Sequence, residues 1–126
     1  MFKRIDHVEI ISSDVEVSIT FYTEILGFKI KQREEVDAPS IKEVVFLELN
    51  DSMLELLSMK EPQPINKQDR QVGYRMLALE VEDMDEVITY LEDKGVEVSW
   101  GPVDLGPSKR AEIRDPDGLP IELRQW

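Results

Sequence analysis

Apolar residues recur along this chain in two rhythms, a period of two and a period near 3.6, and the order of the rhythms is itself repeated. Residues 4–11 alternate, with Val8 and Ile10 on one face and His7, Glu9 and Ile11 on the other, which predicts a strand. Ser12-Ser13-Asp14 supplies a helix N-cap, with Glu16 in the first turn. Val15, Ile19, Phe21, Tyr22, Ile25 and Leu26 then recur as a helical stripe that ends at Gly27. Strands are predicted over 28–35 and 43–49, with a break at Asp37-Ala38-Pro39-Ser40. Asn50-Asp51-Ser52 makes a hairpin turn into a strand at 53–57. Residues 60–73 are polar, carry Pro62 and Pro64, and read as a linker.

The β-α-β-β-β order then begins again. A strand over 75–81 leads through Glu82-Asp83 into a helix with Met84, Val87, Ile88 and Leu91 on its stripe, closed by Lys94-Gly95. A strand over 96–100 is expected to stop at Gly101-Pro102, and Gly106-Pro107-Ser108 is a turn. The last two strands, 109–114 and 119–123, flank Asp115-Pro116-Asp117-Gly118, where Pro116 fixes φ and Gly118 supplies the positive φ of a tight turn. The two halves overlay: Asp14 on Asp83, Ile19-Thr20-Phe21 on Ile88-Thr89-Tyr90, Gly27 on Gly95, and Leu54-Glu55-Leu56 on Ile121-Glu122-Leu123. The offset narrows only from 69 residues (Asp14 to Asp83) to 67 (Glu55 to Glu122), so this is an internal repeat. The pattern predicts an α+β fold in one domain, 1–126. Module 1 spans 1–59, the linker 60–73 and module 2 74–126. Neither half can cover its own sheet, so the two are expected to pair about a pseudo-twofold axis into a curved mixed sheet around a cleft.

Composition narrows the function. With 15 Lys and Arg against 27 Asp and Glu the net charge is −12, which argues against nucleic acid and anionic membrane surfaces as partners. No apolar run is long enough for a membrane span, and the start of the chain has no signal-peptide core, so a cytoplasmic protein is expected. The chain has no cysteine, which excludes disulfides, thiolate zinc sites and a Cys nucleophile. No Gly-rich phosphate loop or Ser-His-Asp arrangement is present, and no organic cofactor is expected.

The repeat picks out one position on the first strand and one on the last strand of each half: His7 and Glu55, then Met76 and Glu122. His7 is the sole histidine, and each glutamate stands between apolar residues. A buried carboxylate is costly unless paired or metal-bound, and imidazole with carboxylates suits Zn, Ni, Co, Mn or Fe.

Ile5-Asp6-His7-Val8, Phe21-Tyr22-Thr23-Glu24-Ile25-Leu26-Gly27-Phe28, Leu54-Glu55-Leu56, Leu79-Glu80-Val81-Glu82-Asp83 and Asp115-Pro116-Asp117-Gly118-Leu119-Pro120-Ile121-Glu122 together resemble the vicinal oxygen chelate superfamily. This is the glyoxalase I, bleomycin-resistance and methylmalonyl-CoA epimerase group, and the resemblance covers essentially the whole chain. It implies a divalent metal held by four strand residues, here His7, Glu55, position 76 and Glu122. It also implies a lyase or isomerase of the lactoylglutathione lyase (glyoxalase I) type, acting on a small oxo-compound or hemithioacetal by enolate stabilisation. Glu122 or Glu55 would be the base. Met76 departs from the pattern, since relatives carry a second histidine there and a thioether is a poor ligand for these metals. The alternative is a metal-free small-molecule binding protein of the bleomycin-resistance type. A ring-cleaving dioxygenase would need two histidines. A homodimer is expected, because the family often dimerises and the linker permits exchange.

Weaker candidates are Glu48 and Glu80 as substitute carboxylates, and Lys109, Arg110 and Arg114 as a patch for a substrate carboxylate or phosphate. For these, ordinary surface charge is the simpler expectation. Trp100 and Trp126 read as core or interface residues, and Tyr22 as core.

Overall fold

A computed structural model describes residues 1–66 and 70–126. It divides into two units, Met1–Pro64 and Ile65–Trp126, and the boundary falls inside the stretch expected to be a linker. Residues 67–69 of that stretch lie outside the described residues.

The first unit contains β1 (Val8–Ser12), α1 (Val15–Thr20), β2 (Lys29–Glu35), β3 (Ile41–Leu49) and β4 (Ser52–Met59), in the sheet order β1-β4-β3-β2. The second contains β5 (Leu77–Glu80), α2 (Met84–Asp93), β6 (Val98–Asp104), β7 (Lys109–Arg114) and β8 (Pro120–Gln125), in the order β5-β8-β7-β6. The same order twice is the repeat made visible. In each sheet the first strand lies parallel to the last, and the other pairs are antiparallel. The fold is therefore α+β, with two four-stranded mixed sheets.

The local chemistry follows the sequence closely. Asp14 caps α1 by accepting from the Val17 N–H, and Asp83 caps α2 by accepting from the Glu86 N–H at 3.0 Å. Helix α1 packs on β4, and α2 on β6 and β8. Alternation sends Val45, Leu47, Leu54 and Leu56 into one core, and Ala111, Ile113, Ile121 and Leu123 into the other, all buried. The opposite face of each sheet carries the polar residues described below. No helix among the described residues is long and apolar enough to cross a membrane.

Three local expectations are corrected. The first strand begins at Val8, whose pairing with Leu54 opens the parallel ladder, so His7 sits one residue before β1 rather than within it. The first helix does not stay regular: after Thr20 it widens into a π-helical segment, Phe21–Ile25, closed by Leu26 N–H donating to Phe21 O. Phe21 and Tyr22, both on the expected stripe, are buried within this wider turn. Finally, β6 does not stop at Gly101-Pro102 but runs through it to Asp104, with a shift of register between Trp100 and Val103. Gly101 takes φ +77°, and β6 is an edge strand, where a proline lacking an N–H is tolerated.

Candidate functional site

In the first unit the parallel ladder of β1 and β4 sets the site. Glu9 pairs with Glu55 and Val8 with Leu54, so His7, Glu9 and Glu55 share one face, opposite the buried Leu54 and Leu56. Phe46 on β3 pairs with Glu55, and its ring stands perpendicular to the imidazole with centroids 5.5 Å apart. His7 Nε2 lies 3.1 Å from Glu55 Oε2, and His7 Nδ1 lies 2.8 Å from Asp6 Oδ2. The imidazole is thus held between two carboxylates. Glu55 is only 8% exposed, whereas Asp6 is open to solvent.

This arrangement displaces both titrations. The hydrogen bond to Asp6 raises the His7 pKa above the usual histidine range, with the nearby Glu55 charge adding to it. Burial raises Glu55, and its neighbour Glu9 raises it further. Two protonation patterns satisfy both contacts of the ring. An imidazolium donates from both nitrogens, or a neutral ring donates from Nδ1 to Asp6 while a protonated Glu55 donates to Nε2. A proton can therefore pass between Glu55 and His7 over 3.1 Å.

In the second unit the matching positions differ. Leu77 pairs with Ile121 and Ala78 with Glu122, so Met76 stands in the place of His7 and Ala78 in that of Glu9. Glu122 Oε1 accepts from Arg110 Nε at 3.0 Å and Arg124 Nε at 2.8 Å, and also pairs with Arg124 Nη2. Arg110 further pairs with Glu112, directly opposite Glu122 on β7, and its Nη2 lies 3.8 Å from Met76 Sδ. The guanidinium lies 4.7 Å from the centre of the Trp100 ring. Arg124 Nη1 donates to Ser108 Oγ at 2.8 Å.

Of the four expected positions, His7 and Glu55 come together in the first unit, while Met76 and Glu122 belong to the second. One donor atom from each of His7, Glu9 and Glu55 lies within 4.8 Å of the others, and this imidazole–carboxylate set suits a borderline or hard divalent ion. The second-unit residues suit one less well, since Met76 is soft and Glu122 is already neutralised by guanidinium groups. Arg110, expected as surface charge or as part of a substrate patch, is instead a mostly buried partner of two glutamates. Glu48 pairs with Lys31, and Glu80 is exposed. Glu9, Asp6 and Arg124 were not singled out by sequence. For Glu9 the signal was its two-residue spacing from His7, which fixes a common face.

The fold agrees with what known proteins show. The model of the Glyoxalase/Bleomycin resistance protein/Dioxygenase superfamily matches residues 4–123. Protein YwkD of Bacillus subtilis (strain 168) is 36% identical over 128 residues, covering 98% of this chain and 97% of its own. The lactoylglutathione lyase of Escherichia coli O157:H7 is 30% identical over 127 residues, covering 95% and 90%. The crystal structure of the glyoxalase family protein from Enterococcus faecalis superposes with a TM-score of 0.84 at 31% identity, covering 98% of both chains. The chain therefore belongs to the glyoxalase/bleomycin resistance protein/dioxygenase superfamily, the vicinal oxygen chelate group.

Proposed function

We propose that the protein is a divalent-metal-dependent lyase or isomerase of the glyoxalase I type, acting on a small oxo-compound or hemithioacetal. The observation that carries this reading is the contact of His7 Nε2 with the buried Glu55 Oε2 at 3.1 Å, with Glu9 in register beside it. The 30% identity to a lactoylglutathione lyase supports the same reaction class. His7 and Glu55 would hold the ion, and Glu122 is the family position that the second unit offers. The ion would supply Lewis-acid polarisation of a substrate carbonyl.

The chain's own residues do the rest. A carboxyl raised by burial is matched to taking a proton from the carbon next to that carbonyl, and to returning it to the neighbouring carbon. Asp6 and the perpendicular ring of Phe46 fix the plane of the imidazole. Glu122 is the alternative base, but only with its carboxylate released from Arg110 and Arg124.

The experiment is to strip the protein with a chelator and reload it separately with Ni, Zn, Co, Mn and Fe. Conversion of the methylglyoxal–glutathione hemithioacetal to lactoylglutathione is then followed. Metal-dependent turnover that falls by at least about 100-fold in Glu55→Gln is expected, the scale of losing a positioned base. Absence of metal-dependent turnover with every ion would refute the reading. A second reading, a metal-free binding module, is favoured by Met76 and by the neutralised state of Glu122. A thermal-shift screen of metals against small aromatic ligands separates the two, because only what binds the folded state stabilises it.

A further inference from the structure

We propose that the cation is held within the first unit, by His7, Glu9 and Glu55, with Glu9 supplying the third donor that Met76 cannot. This assignment rests on the metal-dependent reading above and changes which residues carry it.

The first support is register. Glu9 is two residues from His7 on the same strand face and directly opposite Glu55 in the parallel ladder. The backbone therefore aims three hard donors at one point, and their nearest atoms lie within 4.8 Å of one another. Donors on a common ion at about 2.1 Å stand roughly 3 to 4 Å apart, so the set has to close by only about 1–2 Å.

The second support is how each unit treats two facing acids. In the second unit Glu112 and Glu122 are cross-strand neighbours, and Arg110 bridges them while Arg124 holds Glu122. In the first unit Glu9 and Glu55 face each other with no such bridge. Among the described residues no lysine or arginine forms an ion pair with either; Glu55 pairs with His7, and the two carboxyl groups are hydrogen-bonded to each other, which takes a proton on one of them. Two carboxylates and an imidazole left without a guanidinium form a site that a divalent ion neutralises. Two carboxylates already holding two guanidinium groups do not. Glu122 is therefore a structural acid, and Glu9 is the ligand.

The test is titration of chelator-stripped full-length protein with Co(II), followed by calorimetry and visible absorbance. Glu9→Gln should weaken Co(II) on the order of 100-fold, at or beyond the 10–100-fold typical of losing a residue behind the ligands. Glu122→Gln should leave affinity within about threefold. The stripped Glu9→Gln protein should unfold at or above the wild-type temperature, because one of two facing negative charges is gone. Lower affinity with equal or higher apo stability identifies a ligand, since a merely structural role would move both the same way. Wild-type affinity in Glu9→Gln, or an equal loss in Glu122→Gln, overturns the assignment while leaving the metal-dependent reading intact. A wild-type protein that takes up neither Co(II), Zn(II) nor Mn(II) overturns both.

Discussion

Arg110→Met offers a direct measure of how the second unit tolerates its acids. The guanidinium pairs with Glu112, donates to Glu122 at 3.0 Å and covers the Trp100 ring. Methionine keeps much of the volume and removes the charge. Arg124 still holds Glu122, so the cost falls mainly on Glu112, which is 9% exposed and directly opposite Glu122. Breaking a buried pair and stranding one charge costs about 3–5 kcal/mol. The surviving Arg124 contacts and the residual exposure of these side chains lower that to about 2–4 kcal/mol. With a urea m-value of about 1.5 kcal/mol/M for a chain of this size, the midpoint should fall by roughly 1.3–2.7 M. Glu112→Gln added to Arg110→Met should restore at least about half of the loss, and with the Glu112→Gln single variant it closes a double-mutant cycle. An Arg110→Met protein within about 0.5 kcal/mol of wild type would show that the network is only surface decoration. So would a double variant no more stable than the single.

Asp115 is buried, and its Oδ1 accepts from the Asp117 and Leu119 N–H groups at 2.9 Å each. Asp115→Ala strands both donors and should cost about 2–4 kcal/mol in thermal or urea unfolding, with Asp115→Asn losing markedly less; equal losses would refute the acceptor role. For His7 and Glu55 the folded chain holds its proton more tightly than the unfolded chain does, so stability is full below the unfolded pKa and falls as pH rises through the folded one. The metal-free protein should therefore lose stability above the usual glutamate value of 4.5 and again above the usual histidine value of 6.5. Glu55→Gln should remove the first slope and Asp6→Asn weaken the second, and unfolding midpoints that rise across either window would contradict the assignment.

The sequence disclosed whatever depends on local chemistry. The aspartate caps at 14 and 83, the turn at Asp115-Pro116-Asp117-Gly118 and the alternation that buries Leu54, Leu56, Ile121 and Leu123 are each written within a few residues. His7 and Glu55 were legible because the repeat pairs first and last strands. What stayed hidden depends on register between strands. The start of β1 is set by Leu54, far along the chain, and the bulge that carries β6 past Gly101 is set by β7. Arg110 and Glu112 are two apart and share a face, which is readable. That the pair meets Glu122 and Arg124 requires the β7–β8 alignment. The π-helical widening after Thr20 had no signal beyond the adjacent aromatics Phe21 and Tyr22.

The duplication sharpens the functional question because it holds the backbone constant while the side chains diverge. Both halves place a glutamate at the same point of the same strand, flanked by buried aliphatic residues. Around Glu55 stand His7, Glu9 and Phe46, and around Glu122 stand Met76, Ala78 and Glu112 at the corresponding register positions. A glutamate that met the same need in both halves would keep the same company in both. Instead one acid is matched with an imidazole and a second carboxylate, and the other with two arginines. An acid bridged by guanidinium groups is already satisfied when the chain folds. An acid set against another acid and a lone imidazole is satisfied only by a proton or a cation. On the proposed reading the chemistry belongs with Glu55, and Glu122 should tolerate Gln with little loss of metal affinity.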